Sequence, residues 1–293
     1  MRLLTTALAV SAVVGMAAAC SGGEEPKKNG GSQASQAALP APVPAASLRP
    51  VTLPDQPGPL IDTIARQVRT AGTVRTDVVS SGEEDGGARQ QEKISAQVRI
   101  GARPPQAQMT IVDQDPAAPS TTEAVVTGGT VYTRVDGQEQ APGKPWVRLS
   151  RQDLRNPELG PFAKILTGIL DSVDTGLAQI SVDSGLQVVR AGRFDKAAVT
   201  ETVDGVRTRR YSGRTPTAEL AKTDTAYKAI AQLGGDEVPW TLWVDDKGLP
   251  RRFRVDVGTD RDLGATQEVR YRQWGEPVSI QAPPAAQVHT IGS

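Results

Sequence analysis

Side chains that could carry chemistry are few in this chain of 293 residues. Cys20 is the only cysteine, and the only histidine is His289, close to the C-terminal end. One cysteine cannot form an intrachain disulfide or a thiolate zinc cluster, and one histidine in a tail does not suit a Ser-His-Asp triad. HExxH and GxxxxGK[ST] motifs are absent, and no carboxylate pair is singled out for hydrolysis. We therefore expect no enzyme, no bound metal and no other cofactor.

Cys20 instead stands where an exported chain would be cleaved. Arg2 precedes an apolar stretch over residues 3–15, which is too short to span a bilayer, and Ala17-Ala18-Ala19 follows. The pattern resembles the bacterial lipobox, whose cysteine is diacylated through sulfur and becomes the mature N-terminus. The lipobox usually has leucine where this chain has Ala17, so simple secretion with cleavage near Ala19 stays open as an alternative.

Composition divides the chain into three predicted parts. Residues 1–19 form a signal peptide, and residues 20–59 form the lipidated cysteine and a flexible tether, because Gly, Ser, Ala, Gln and Pro dominate there and large apolar side chains are scarce. Residues 60–293 form one folded domain. No later segment has 18 consecutive apolar residues, so the lipid on Cys20 would be the only anchor, on the outer face of the cell membrane.

The charge balance excludes some classes of partner. Lys and Arg number 33 against 33 Asp and Glu, which argues against nucleic acid and against a strong polybasic grip on anionic lipid.

Alternating apolar residues predict many strands. Clear examples are Ile94, Ala96, Val98 and Ile100 in one strand and Trp240, Leu242 and Val244 in another. Gly128-Gly129, Asp204-Gly205 and residues 245–248 predict tight turns between strands. Helical spacing predicts helices at about 59–70, 162–173 and 217–233, and residues 186–193 and 196–203 are interpreted as a strand pair. The predicted class is α+β: an antiparallel sheet of around ten strands with helices covering one face.

Five phrases, taken in order, resemble a known family. They are GGTVYTRVDG (128–137), GKPWVRLS (143–150), VDGVRTRRYSG (203–213), EVPWTLWVDDKGLPRRFRVDVG (237–258) and QWGEPVSIQAPPAAQV (273–288). With the lipobox, they resemble actinobacterial lipoproteins of the LppX/LprAFG (LprG) type over roughly residues 60–288. These phrases belong to turns and strands and contain no chemical signature.

The resemblance implies a LolA-like fold, in which a large curved antiparallel sheet, or half-barrel, wraps helices packed on its concave face. It also implies a hydrophobic cavity between sheet and helices that holds acyl chains of a lipid or glycolipid carried outward from the cytoplasmic membrane. A membrane transporter is then a candidate partner, and we expect a monomer.

The predicted cavity lining combines one helix and two strands. The helix contributes Phe162, Ile165, Leu166, Ile169 and Leu170; the strands contribute Trp240, Leu242, Val244, Phe253 and Val255. Each of these residues could equally fill an ordinary core.

Two further groups of charged residues are candidates for binding an anion or calcium. Arg207, Arg209 and Arg210, with Arg251, Arg252 and Arg254, could meet a phosphate or form a solvated strand face, and the second interpretation is favoured. The acidic loops 82–87, 113–115 and 260–262 do not have EF-hand spacing.

Two hypotheses about function therefore remain. The first is a lipid carrier with an apolar cavity. The second is an interaction or sensor-accessory lipoprotein without lipid cargo, which predicts a filled core and an exposed patch for a partner.

Overall fold

The computed structural model describes residues 41–83, 89–114, 119–156, 160, 162–223, 225–232, 235–257 and 265–290. The predicted signal peptide, Cys20 and most of the predicted tether lie outside these residues. The folded part consists of five α-helices and thirteen strands within the described ranges.

The helices occupy three places in the chain. Their bounds are α1 (Pro57–Ala71), α2 (Phe162–Ile180), α3 (Val182–Arg190), α4 (Thr217–Leu220) and α5 (Thr225–Gln232). α1 ends where predicted, because Gly72 adopts the left-handed conformation (φ 75°) that stops a helix.

The strands make one sheet. Their bounds are β1 (Thr73–Glu83), β2 (Arg89–Arg99), β3 (Gln106–Asp113), β4 (Ser120–Thr127), β5 (Thr130–Val135), β6 (Trp146–Ser150), β7 (Arg193–Phe194), β8 (Val199–Val203), β9 (Val206–Pro216), β10 (Glu237–Asp245), β11 (Pro250–Val257), β12 (Ala265–Arg272) and β13 (Val288–Thr290).

The sheet joins two meanders side by side. β1–β6 follow one another in space and form the N-terminal meander; β9–β12 do the same and form the C-terminal meander. β1 pairs with β12, so the first strand and the last long strand close the two meanders into one surface. β7 and β8 both pair with β9.

The predicted α+β class, a large curved sheet with helices packed on one face, is confirmed. Two details differ from the expectation. β13 runs parallel to β6, so the sheet is mixed. The segment interpreted as a strand at 186–193 is mainly helix α3, because Val182, Leu186 and Val189 recur at helical spacing and are buried together.

The helix predicted at 217–233 is also divided. The described parts are α4 and α5, and α4 ends in a turn in which Thr223 N–H donates to Leu220 O. The two helices pack mainly against each other, so this block adds little cover to the sheet.

Residues 43–55, here called the strap, lie against the domain although they fall within the predicted tether. Val43 N–H donates to Ala71 O (3.2 Å), and Ala45 N–H donates to Trp274 O (3.0 Å). Leu48 is buried in the core. These contacts shorten the length of chain available as a spacer to the residues before 43.

The second half of the strap is held by side chains of the C-terminal meander. Arg209 donates to Leu53 O (3.0 Å) and forms an ion pair with Asp55 (2.7 Å). Val51 N–H donates to Asp246 O (2.8 Å) in the turn between β10 and β11. The strap therefore runs along the end of the sheet where β1 begins and β12 ends, which we call the strap end.

Candidate functional site

The predicted cavity lining is divided by the fold into two groups. On α2, Leu166 and Leu170 are buried and Ile169 is half-buried against the core. Phe162 and Ile165 belong to the first turn of α2, but their side chains lie outside the described part. α2 contacts β1, β2 and β6, so this group lies over the N-terminal meander.

The second group lies under the other helices. Trp240, Leu242 and Val244 of β10 and Phe253 and Val255 of β11 all point inward and are buried. Cross-strand pairing places Trp240 opposite Val255 and Leu242 opposite Phe253. α3 covers this region, since a Cβ on Gly185 would lie 3.0 Å from the Phe253 ring.

Trp240 is fixed by polar and aromatic contacts. Its Nε1–H donates to Thr215 Oγ1 (3.0 Å), and the Thr215 hydroxyl donates in turn to Val188 O on α3 (2.7 Å). The Phe194 ring packs edge-on at 5.9 Å. Behind the indole, a Cβ on Gly213 would overlap the ring, so glycine is the residue that fits there.

Tyr211 extends this cluster. Its ring lies 5.3 Å from Phe194, and its hydroxyl has no hydrogen-bond partner among the described residues. Burial raises the pKa of Tyr211 to about 12, so the phenol stays neutral at physiological pH. Together these contacts make the C-terminal half of the interior a closely packed aromatic core.

The surface beneath α2 has a different composition. Strand pairing aligns one inward row across β1–β6, which we call the α2 floor; it consists of Thr76, Ala96, Met109, Ala124, Thr133 and Val147. Apart from Met109 and Val147, its members are alanine or threonine. α2 lies directly above it, because a Cβ on Gly176 would be 3.5 Å from Met109 Sδ.

The α2 floor also contains an unsatisfied donor. Thr76 is 1% exposed, and its hydroxyl has no hydrogen-bond partner in the described structure. A buried hydroxyl without a partner costs free energy, so a ligand oxygen reaching this row would relieve that cost. This row was not predicted from the sequence, although inward Ala96 and Met109 fall on the alternating pattern.

Two depressions are found among the described residues. One, of about 470 Å³, lies among residues near the ends of β3, β4 and β5, including Val112, Thr121 and Asp136. The other, of about 450 Å³, lies along β1–β3, and its lining includes Thr76, Ala96 and Met109 of the α2 floor as well as outward residues such as Arg75 and Gln108. Neither is lined by a residue of the predicted cavity.

Most of the arginines considered for phosphate binding are engaged in ion pairs. Arg251 pairs with Asp245 (2.8 Å) and Arg254 with Asp256 (2.8 Å). Arg252 pairs with Glu268. Burial raises the pKa of Glu268, but hydrogen bonds from Arg252 and a second arginine lower it more, so that carboxylate stays ionised.

The acidic loops contribute little to the described structure. Residues 84–87 and 260–262 lie outside it, as does Asp115. In the described ranges, no three or more His, Cys, Asp or Glu side chains gather as metal ligands.

Glu92 gives a pH-dependent prediction. Burial, and then the Asp113 carboxylate opposite it on β3, raise the pKa of Glu92, so its ionised form destabilises the fold. We expect Glu92→Gln to raise the melting temperature at neutral pH. This gain should disappear as the pH falls through the raised pKa, because wild-type Glu92 is then neutral too. Thermal melts at neutral pH and at a pH below the raised pKa of Glu92 measure the difference between the two proteins. A gain in melting temperature that was larger in acid would contradict the prediction.

The fold can now be compared with known proteins. The model of the LppX_LprAFG lipoprotein family matches residues 171–280, a stretch that runs from α2 to beyond β12. The predicted resemblance to LppX/LprAFG-type lipoproteins is confirmed. Two of the five phrases that suggested it, at 128–137 and 143–150, lie outside the matched stretch.

Solved structures with detectable similarity include lipoproteins. LppX from Mycobacterium tuberculosis is 16% identical, with a TM-score of 0.43, over 76% of this chain and 96% of that one. LprF from Mycobacterium bovis is 18% identical, with a TM-score of 0.45, over 78% and 96%. A LolA superfamily protein from Nitrosomonas europaea is 9% identical, with a TM-score of 0.27, over 75% and 92%.

A search of curated protein sequences finds no significant match. In the described ranges, none of the helices has the length and apolar character needed to cross a bilayer.

Proposed function

We propose that this protein is a membrane-anchored lipoprotein that binds a lipid or glycolipid between α2 and the sheet and carries it outward from the cytoplasmic membrane. The observation that carries the proposal is the match of residues 171–280 to the LppX_LprAFG lipoprotein family. Resemblance to this family implies lipid binding. No catalytic residue is needed for this role, and lipid on Cys20 would hold the protein at its loading site.

The α2 floor is the best-suited place for an acyl chain. An acyl chain in water costs about 0.8 kcal/mol per CH₂, and an apolar groove removes that cost. Leu166 and Leu170 of α2 supply apolar surface on one side, and the short side chains of Ala96 and Ala124 take up little space on the other. On the C-terminal side, by contrast, the Trp240 ring already occupies the interior.

A lipid would also satisfy the polar group in this row. An ester or amide carbonyl that reached β1 could accept a hydrogen bond from the Thr76 hydroxyl. The cargo expected from this argument has at least one long acyl chain joined to a polar linkage.

The first test is the lipid content of the protein. Native mass spectrometry of the chain, expressed with its own signal sequence and purified gently from membranes, should show a bound lipid that organic solvent extracts. A spectrum containing only the unliganded mass would overturn the carrier proposal and leave an interaction lipoprotein as the better hypothesis.

A second test addresses the location of the site. Ala124→Leu with Thr133→Leu enlarges two paired inward side chains of the α2 floor and should reduce bound lipid at least about tenfold, because each added methylene occupies acyl-chain space. If the space is already full, the same variant should lose about 1–3 kcal/mol of stability without changing the lipid content.

The matched control uses the opposite face of β4. Thr121→Leu with Thr127→Leu adds comparable volume to outward positions of that strand, so lipid content should stay unchanged. An equal loss of lipid in both variants would exclude the α2 floor as the binding surface.

A further inference from the structure

The strap end of the N-terminal meander carries a group of arginines. β2 ends at Arg99, the following turn contains Arg103, and a short 3-10 helix after β6 ends at Arg155. Antiparallel pairing brings the end of β2 and the end of β6 to the same end of the sheet, although more than 45 residues separate them in the sequence.

Among the described residues, these three guanidinium groups have no acidic partner. Within the described ranges, none of Arg99, Arg103 and Arg155 forms an ion pair, whereas the nearby Arg148 and Arg151 pair with carboxylates. Arg103 and Arg155 are exposed and Arg99 is half-exposed. Their charge is therefore available to a partner.

The opposite end of the same meander is acidic. Glu92 and Asp113 face each other across β2 and β3, and Asp136 and Glu139 follow β5. The raised pKa of Glu92 reflects this crowding of negative charge, after the effect of burial. A net charge of zero thus conceals a separation of charge along the strands.

The strap begins at the basic end of the sheet. Residue 43 is hydrogen-bonded to the end of α1, beside the start of β1. A Cβ on Gly275 would overlap Val43 O, so glycine there permits the close approach. The described part of the chain therefore begins at the strap end.

We propose that the strap end of the N-terminal meander docks on an anionic lipid surface through Arg99, Arg103 and Arg155. Guanidinium groups bind phosphate through paired hydrogen bonds. A basic residue close to an anionic bilayer strengthens adsorption by about fivefold, and this effect is lost beyond roughly 8–10 Å at physiological salt. The docking requires no bound cargo, so it stands or falls independently of the lipid-carrier proposal.

Vesicle flotation of an unacylated chain tests the docking. The mature chain carrying Cys20→Ser should float with vesicles of equal parts phosphatidylglycerol and phosphatidylcholine, and much less with phosphatidylcholine alone. Arg99→Gln, Arg103→Gln and Arg155→Gln together should lower binding by about a hundredfold. The fold should survive, since none of the ion pairs in the described ranges is broken, and unchanged circular dichroism melts would confirm that.

The control removes the same charge elsewhere. The control variant replaces three lysines that lie away from the strap end, Lys93, Lys144 and Lys196, by Gln. It should change vesicle binding by no more than about twofold, because salt screens the attraction between these distant charges and the bilayer. Equal binding to both kinds of vesicle, or equal losses in the two triple variants, would overturn the proposal. Binding abolished by inorganic phosphate at constant ionic strength would reveal a free-anion site instead.

Orientation on the vesicle gives an independent readout. Thr121 and Thr127 lie on the outward face of β4, at its acidic and basic ends, about 20 Å apart. In the Cys20→Ser background, Thr121→Cys or Thr127→Cys provides the only thiol for a fluorophore. Lipids with spin-labelled head groups should quench the fluorescence of a probe at position 127 and leave the fluorescence of a probe at position 121 unchanged. Equal quenching, or the reverse order, would exclude docking through the strap end.

Discussion

Replacement of Trp240 by alanine is expected to lower the free energy of unfolding by about 3–5 kcal/mol. The indole is 2% exposed, lies edge-on against Phe194 and bonds to Thr215, so its removal leaves a cavity and an unused hydroxyl acceptor. Urea denaturation followed by circular dichroism measures the change. Lipid content should be unaffected in protein that remains folded, because the proposed lipid site lies under α2.

Trp240→Phe is the matched control. It keeps an aromatic ring but loses the Nε1–H donor to Thr215, and should cost about 1–2 kcal/mol. If Trp240→Ala cost less than about 1 kcal/mol, the ring would have open space beside it, and the cavity would have to be placed in the C-terminal half.

The second large effect is expected at Asp245. This carboxylate is 1% exposed and accepts bonds from the Lys247 and Leu249 amides (3.0 and 2.9 Å) and from Arg251 (2.9 and 2.8 Å). Asp245→Asn would present an amide donor to the Arg251 guanidinium and leave that charge uncompensated. We expect the free energy of unfolding to fall by about 2–4 kcal/mol. This value is at the lower end of the cost of breaking a buried ion pair, because Arg251 is partly exposed.

A double variant separates the charge from the turn. Asp245→Asn with Arg251→Met removes both ionic partners and should recover part of the loss, since no unpaired charge remains. The turn also holds the strap, through the Asp246 carbonyl and through Lys247 Nζ donating to Ala45 O (2.8 Å). Proteolysis within residues 43–55 should therefore become faster in Asp245→Asn. A strap that stayed equally resistant would show that its docking does not depend on this turn.

Local residue patterns were sufficient for much of the sheet. Asp204-Gly205 and Gly128-Gly129 adopt the positive φ values that tight turns between strands require. The misassigned helix α3 shows the limit of this approach: Leu186, Val188 and Val189 suit either period over so short a run, and packing against β9 and α1 decides the outcome.

The lining residues show the same limit. Burial of Leu166, Trp240 and Phe253 could be predicted from their spacing, but not which helix covers which strand. That depends on the pairing of β1 with β12, which joins residues nearly 200 positions apart, and no local pattern encodes such a contact.

By itself, the sequence determined most element types, several tight turns and the apolar face of the clearest strands, because these follow from side-chain period and backbone preference over a few residues. The tertiary structure alone decided that a Pro-rich segment docks as a strap, that small side chains align beneath α2, and that three distant arginines lie at one end of the sheet. The physical reason is that strand register and hydrogen bonds between distant segments set these neighbours, and such contacts form only once the whole sheet is assembled.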